Sequence, residues 1–278
     1  MKKGISIWSF SSSMSITESM RLAKEAGFDG IELALNEKGA LSLESDPDEI
    51  MGYRHLADQI GIEISSLATG LFWSYALTSG YPETRRKALE IGKKQLEFAS
   101  LLGVDTILVV PGAVGVDFIP GSEVVDYDVA YQRSFAAIKE LSAYAEEKQV
   151  HIGVENVWNK FLLSPLEMRD FIDGVGSAFV GAYLDVGNLI LTGYPEQWIR
   201  ILGKRIRKVH FKDFKREVGT LAGFVDLLSG DVNFPAVMDA LKKAGYDSYV
   251  IAEMSPPKYY PEQLIYRTSL AMDQILGR

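Results

Sequence analysis

At 278 residues, 47% hydrophobic and 24% charged, the chain is long enough for one α/β barrel or two ordinary domains, and apolar enough for a large core. Its formal net charge of −8 works against a general nucleic-acid or anionic-membrane binder, because both need a positive field. There is no cysteine, which excludes disulfides, thiolate catalysis, iron–sulfur clusters and cysteine-based zinc sites.

Met1-Lys2-Lys3-Gly4-Ile5 enters a strand pattern directly, with no extended apolar stretch and cleavage site. No apolar run reaches the roughly 18–20 residues of a spanning helix. The expectation is a soluble, cytoplasmic protein. Short apolar runs then alternate with amphipathic helical stretches. Gly4–Trp8 reads as the first strand, followed by a helix over 15–26 in which Ser15 and Glu18 have capping-box spacing and Gly27 closes the end. Gly30–Leu35 is the second strand, 46–59 a helix, and Ile62–Leu67 the third strand. A long helix runs from Pro82 to Leu102 and stops at Gly103. Strand four, Thr106–Val110, ends at Pro111-Gly112. The pattern continues with a helix over 128–148, strand 150–155, helix 165–172, strand 179–185, helix 195–202, strand 208–212, helix 234–244, strand 248–253 and a last helix over 261–275.

That is eight strands alternating with eight helices. Continuous apolar strands such as Ile107–Val110 predict burial on both faces, as in a parallel sheet. The repeated helix-to-strand phrases Ala26-Gly27-Phe28-Asp29, Ala244-Gly245-Tyr246-Asp247 and Leu102-Gly103-Val104-Asp105 mark one recurring β/α unit. The expected fold is α/β, a single (β/α)8 TIM barrel over 1–278, with a doubly wound open sheet as its competitor. Two connections after strands, Gly112 to about Asp126 and Phe214 to about Val232, are long enough to act as lids at the barrel mouth.

In such a barrel, chemistry sits at the C-terminal strand ends. Four consecutive strand ends carry Glu155, Asp185, His210 and Glu253. Three carboxylates crowded at one mouth would repel one another and resist ionisation, and a divalent cation removes that conflict. Carboxylate oxygens with one imidazole suit one divalent metal ion, Mn²⁺ first, with Co²⁺, Mg²⁺ and Zn²⁺ as alternatives. Lys212 lies two residues past His210 and points the same way, placing it to meet a substrate hydroxyl or phosphate, or else a rim carboxylate. Asn156 and Asn188 follow two of the acids closely and can donate to sugar hydroxyls. Trp8, Phe72, Trp73 and Trp158 near strand ends offer aromatic faces to a carbon skeleton or fill the barrel top. Glu32 reads as a support for the site or a substrate contact. His55, mid-helix, and His151, at the opposite barrel end, read as structural. No Gly-rich phosphate loop is present, and Ser229-Gly230-Asp231 reads as a turn before a helix.

With these residues in view the chain resembles the xylose isomerase-like TIM barrels. The resemblance rests on Ile152-Gly153-Val154-Glu155-Asn156, Leu184-Asp185-Val186-Gly187-Asn188, Val209-His210-Phe211-Lys212-Asp213, Ser229-Gly230-Asp231-Val232-Asn233-Phe234 and Ile251-Ala252-Glu253. It spans essentially the whole chain and is nearest the sugar-phosphate isomerases and epimerases, a branch that includes pentulose-5-phosphate 3-epimerases, hexulose-6-phosphate isomerase-like proteins and ketose 3-epimerases. The resemblance implies that Glu155, Asp185, His210 and Glu253 bind the metal and that Glu155 and Glu253 are also the acid/base pair. Free-ketose 3-epimerases of the tagatose and psicose type carry histidine three residues after the aspartate. Here that position is Asn188, which turns the expectation toward phosphorylated sugars. The implied reaction passes through a metal-stabilised enediolate, with two glutamates on opposite faces giving epimerisation, or return to the neighbouring carbon giving aldose–ketose isomerisation. A keto-inositol dehydratase using the same groups is the enzyme alternative. A non-catalytic sugar-binding barrel is a third class, disfavoured by the intact ligand set. An endonuclease IV-like repair enzyme would need more histidines and a basic groove. The expected partner is a small sugar or sugar-phosphate substrate, with no nucleic acid and no membrane, and homo-oligomerisation is left open.

Overall fold

The computed structural model describes residues 1–278. In chain order the strands are β1 (Lys2–Ser6), β2 (Gly30–Leu35), β3 (Glu63–Thr69), β4 (Thr106–Val109), β5 (His151–Glu155), β6 (Val180–Asp185), β7 (Ile206–Phe211), the short β8 (Asp213–Phe214) and β9 (Phe224–Val225), and β10 (Tyr249–Ala252). β1 to β7 and β10 pair in parallel, each with its neighbours in sequence, and β10 closes the barrel onto β1. The helices are α1 (Ile16–Glu25), α2 (Pro47–Ile60), α3 (Pro82–Leu102), α4 (Tyr127–Lys148), α5 (Pro165–Val175), α6 (Pro195–Leu202), α7 (Phe234–Lys243) and α8 (Pro261–Leu276). β2, β4 and β6 are buried at every position, as strands between a packed interior and a helical shell must be. The (β/α)8 barrel is therefore as expected. No helix is long and apolar enough to cross a membrane.

Local chemistry accounts for most boundaries. Ser15 and Glu18 form the full capping box of α1, a contact worth about 1 kcal/mol. Proline opens α2, α3, α5, α6, α7 and α8, where its missing N–H has no helical partner to lose. Gly61, Gly103 and Gly176 end three helices in the left-handed region. Gln149 does the same for α4 at φ 57°, without glycine.

Two elements depart from the sequence reading. β1 ends at Ser6, two residues early, and Trp8 falls in a 3-10 turn over Ile7–Ser9. The strand also starts two residues early and takes in Lys3, which is 2% exposed. Its ammonium reaches the barrel base, 2.6 Å from Asp273 and 2.8 Å from Ser269 Oγ, so a buried strand holds a charge. The connection after β7 holds the antiparallel β8–β9 pair rather than a plain loop. The Asp213 carboxylate organises it by accepting backbone N–H groups of Phe214 (2.9 Å), Gly230 (2.8 Å) and Val232 (3.1 Å). A β-carbon at Gly230 would lie 2.3 Å from Asp213 Oδ1, so only glycine fits there. Ser229-Gly230-Asp231 is thus a turn, and Asn233 caps α7 by accepting from Ala236 at 3.1 Å.

Candidate active site

Glu155 and Asp185 are the last residues of β5 and β6, His210 is the penultimate residue of β7, and Glu253 follows β10 directly. Asp185 and His210 are paired in register across β6 and β7. One ligand atom from each of the four lies within 4.8 Å of the others. His210 Nδ1 is 2.9 Å from Glu253 Oε2, 3.5 Å from Glu155 Oε1 and 3.9 Å from Asp185 Oδ2. The four residues singled out from widely separated segments therefore converge on one point at the C-terminal mouth.

Asp185 and His210 are oriented from outside the cluster. Asp185 Oδ1 accepts the Asn188 N–H at 2.9 Å. Asn156 clamps the backbone of Asp185 from both sides, donating to its carbonyl at 2.8 Å and accepting its N–H at 2.9 Å. Asn188 donates its amide to the Asn156 carbonyl at 3.0 Å. The Leu-Asp-Val-Gly-Asn motif is thus a brace between β5 and β6. Gly187 is part of it because a β-carbon there would sit 2.5 Å from Lys212 Cβ. His210 Nε2 is 3.0 Å from Glu32 Oε1. An ionised carboxylate only accepts, so Nε2 carries the hydrogen and Nδ1 faces the cluster. Glu32 is fully buried and also accepts from Ser66 Oγ at 2.8 Å and from the Tyr183 hydroxyl.

The electrostatics ask for a cation. Four carboxylates, Glu32, Glu155, Asp185 and Glu253, converge with only one lysine, Lys212, whose Nζ is 3.0 Å from Asp185 Oδ2 and 3.0 Å from Glu253 Oε2. Burial pushes the Glu155 carboxyl up to about 7, against the opposing pull of His210 and Lys212. Burial also opposes ionisation of Glu253, but Lys212 and then His210 outweigh it and bring that carboxyl down to about 2. Burial lowers the proton affinity of His210, yet Glu32 and the flanking glutamates raise it well above the usual imidazole range. Asp185 Oδ2 and His210 Nδ1 are buried with charged neighbours, Lys212 and Glu253, but no well-formed hydrogen bond. Both aim into the cluster, where a divalent ion bound by Glu155, Asp185, His210 and Glu253 would satisfy them. The residues fit such an ion.

Above the cluster is a cavity of about 290 Å³. Glu155 and Glu253 line it, while Asp185 and His210 lie beneath. Trp8, Trp73, Trp158 and Phe224 form much of its wall, with Lys212 and Asn188. Of the expected substrate contacts, Trp8, Lys212 and Asn188 therefore reach the cavity. Asn156 does not line it, because its amide braces the strand ends. Glu32 lies in the barrel interior against the far side of His210, the supporting place rather than the substrate-contacting one. Phe72 is core, 1% exposed. His55 is exposed on α2, and His151 stacks on Phe179 with ring centroids 5.0 Å apart, both away from the site. Tyr183 and Ser66 went unnoticed in the sequence. Both read there as ordinary strand residues, and only barrel closure brings them to Glu32.

Comparison with known proteins agrees with the fold. L-ribulose-5-phosphate 3-epimerase UlaE of Salmonella paratyphi A is 25% identical over 248 residues, covering 85% of this chain and 81% of the relative. The uncharacterized protein MJ1311 of Methanocaldococcus jannaschii is 26% identical over 251 residues, covering 86% and 79%. Among solved structures, D-psicose 3-epimerase from Clostridium cellulolyticum H10 with D-tagatose superposes with a TM-score of 0.83 at 19% identity, over 100% of this chain and 99% of that one. The IolI protein with a bound zinc atom superposes at 0.80 and 20% identity, over 100% and 98%. The model of the xylose isomerase-like TIM barrel family matches residues 20–272, and the chain belongs to that family.

Proposed function

We propose that the protein is a sugar isomerase or epimerase that moves a proton at the carbon next to a ketose carbonyl, with Glu155 and Glu253 as acid and base and one divalent ion, Mn²⁺ first, held by Glu155, Asp185, His210 and Glu253. The observation that carries this reading is the division of the cluster. Only Glu155 and Glu253 are exposed to the cavity, while Asp185 and His210 face the same point from below. A group that exchanges protons with a substrate must reach it, and a group that only ligates need not. The epimerase relatives support the reaction class.

When bound, the ion supplies Lewis-acid polarisation of a carbonyl and a favourable place for developing oxyanion charge. The chain supplies the rest. Glu155 and Glu253 come from β5 and just beyond β10, separated around the barrel by β6 and β7. Their carboxyls therefore approach a substrate in the cavity from different sides, the geometry needed to remove a proton from one face and return one to the other. Lys212, 3.0 Å from Glu253, keeps that carboxyl ionised and ready to accept. Trp8, Trp73 and Trp158 cover the carbon skeleton and exclude water from the reacting carbon.

The test is turnover of a panel of ketoses and ketose phosphates by the Mn²⁺-loaded protein in deuterium oxide. Deuterium at the carbon beside the carbonyl, in product and in recovered substrate, is the expected result. Turnover without solvent exchange, or activity unchanged after chelation, would overturn the proposal.

A further inference from the structure

The metal cavity adjoins a second and larger chamber of about 800 Å³. Trp158, Phe118, Val157, Asn188 and Leu221 line both spaces, so the two share one wall. Trp158 is fixed in that wall. Its Nε1 donates to the Asn188 carbonyl at 2.9 Å, and its ring packs against Phe214 at 5.3 Å and Phe224 at 5.2 Å between centroids.

The chamber is built rather than incidental. Part of its wall is the segment from Asn156 to Leu163. Fully buried Asn159 pins this segment to the connection after β4, donating to the Gly112 carbonyl at 2.7 Å and accepting from Phe161 at 3.1 Å. The Val114 N–H returns to the Asn159 carbonyl at 3.0 Å. Lys160 and Leu162 hold φ of 57° and 53°, a left-handed conformation that costs residues with a β-carbon and gathers at ligand sites. Leucines complete the lining: Leu163, Leu191 and Leu221 are 61%, 38% and 49% exposed, an apolar surface left open to solvent.

Charge decides what these spaces accept. Lys212 is the single cation lining the metal cavity, and it already sits between Asp185 and Glu253. Glu155, Glu253, Asp213 and Asp226 line the same space. The one cation of the chamber, Lys160, is 2.6 Å from Asp117. Lys215 and Arg216 turn away into a separate groove with Glu217, Ser229 and Asp231, and Arg216 Nε donates to the Ile190 carbonyl at 2.9 Å. Each lysine facing either space already has a carboxylate partner, so a phosphate dianion there would have to compete with carboxylates for it.

From the shared wall, the apolar lining and the absence of a free cation, we infer that the substrate is an uncharged sugar bearing an apolar, preferably aromatic, substituent. The sugar occupies the metal cavity and the substituent lies beyond Trp158. The inference builds on the isomerase reading for the sugar end and departs from the phosphorylated sugar expected from the sequence.

The probes are D-fructose, D-fructose 6-phosphate, and the 1-O-benzyl and 6-O-benzyl ethers of D-fructose. Binding to the Mn²⁺-loaded protein is followed by calorimetry, and deuterium exchange is read in parallel. One of the benzyl ethers binds about 10-fold or more tighter than D-fructose, the scale of burying one aromatic ring, and the 6-phosphate binds no tighter. Leu191→Arg, and separately Leu163→Arg, bring the ratio of benzyl ether to fructose affinity close to one. Benzyl ethers that bind no tighter than fructose overturn the inference, as does a 6-phosphate that binds tightest. So does a Leu191→Arg protein that keeps the benzyl preference but changes its mass by light scattering, for then a second copy covers the chamber. A benzyl preference without deuterium exchange from any probe supports the chamber and overturns the isomerase reading alone.

Discussion

Replacing Glu32 by glutamine changes one charge at a fully buried position and leaves the shape intact. Burial works against the Glu32 charge, but His210, the Tyr183 hydroxyl and Ser66 outweigh it and hold the carboxyl below its ordinary range. The ionised form is therefore net favourable in the folded protein. Its three partners are His210 Nε2 at 3.0 Å, Ser66 Oγ at 2.8 Å and the Tyr183 hydroxyl. A hydrogen bond to a charged group is worth about 1.5–3 kcal/mol against about 0.5–1.5 for a neutral one. Three such exchanges, at about 1–1.5 kcal/mol each, lose roughly 3–4.5 kcal/mol of stability, or about 6–18 °C in Tm for a domain of this size. The effect on the ion is more specific. If glutamine presents its NH₂ to His210, Nε2 must accept, the hydrogen moves to Nδ1, and the lone pair aimed at the cluster is lost. If it presents its oxygen, the tautomer survives but the imidazole is less basic. Loss of such a partner weakens metal binding by roughly 10- to 100-fold. Calorimetric titration of Mn²⁺ into metal-free Glu32→Gln, with a circular dichroism melt of the same sample, measures both effects. Wild-type affinity in a variant with wild-type Tm would refute the assignment of Glu32 as the support of His210.

The remaining predictions concern the ligands and one helix cap. Glu155→Gln and Glu253→Gln keep an oxygen donor but lose the base, so kcat falls by about 10²-fold or more while much of the metal is retained, as checked by elemental analysis beside the rate. A Gln variant at full occupancy that exchanges the substrate proton at the wild-type rate from both epimers would end the two-glutamate mechanism. Asp185→Asn acts through the ion instead, because Asp185 lies below the cavity, so excess Mn²⁺ restores much of its activity. Activity that stays low at saturating Mn²⁺ contradicts this division of roles. Ser15→Ala removes the α1 capping box and lowers stability by about 1 kcal/mol in denaturant titration, with kinetics unchanged because the cap lies outside the site.

The fold was legible because most boundaries carry their own chemistry. Prolines and left-handed glycines punctuate the helices, and apolar runs that stop at an acid or a histidine mark strand ends at the mouth. Glu155, Asp185, His210 and Glu253 could be named for that reason. What stayed hidden depends on closure. Lys3 lies inside a buried strand, against every pattern of hydrophobicity, because Asp273 lies 270 residues away in sequence and 2.6 Å away in space. Two-residue strands such as β8 and β9 have no periodicity to read. Tyr183 meets Glu32 across 151 residues, and no local signal distinguishes it from a core tyrosine. Asn156 looked like a substrate donor because its neighbour is a ligand, yet its amide completes the brace between β5 and β6.

The same closure sets the charge that a substrate must accept. Against Glu32, Glu155, Asp185 and Glu253 stand Lys212 and, when bound, one divalent ion, which with neutral His210 leaves a single negative charge at the cluster. Removing a proton from a neutral sugar moves charge between substrate and glutamate without adding to that total. A phosphate would add up to two further negative charges, and the loop cations Lys215 and Arg216 face another groove. Beyond Lys212, the connection after β7 therefore contributes Leu221 and Phe224 to the site rather than Lys215 or Arg216. Apolar contact is what remains available to distinguish one sugar from another, and it is concentrated on the Trp158 side of the mouth.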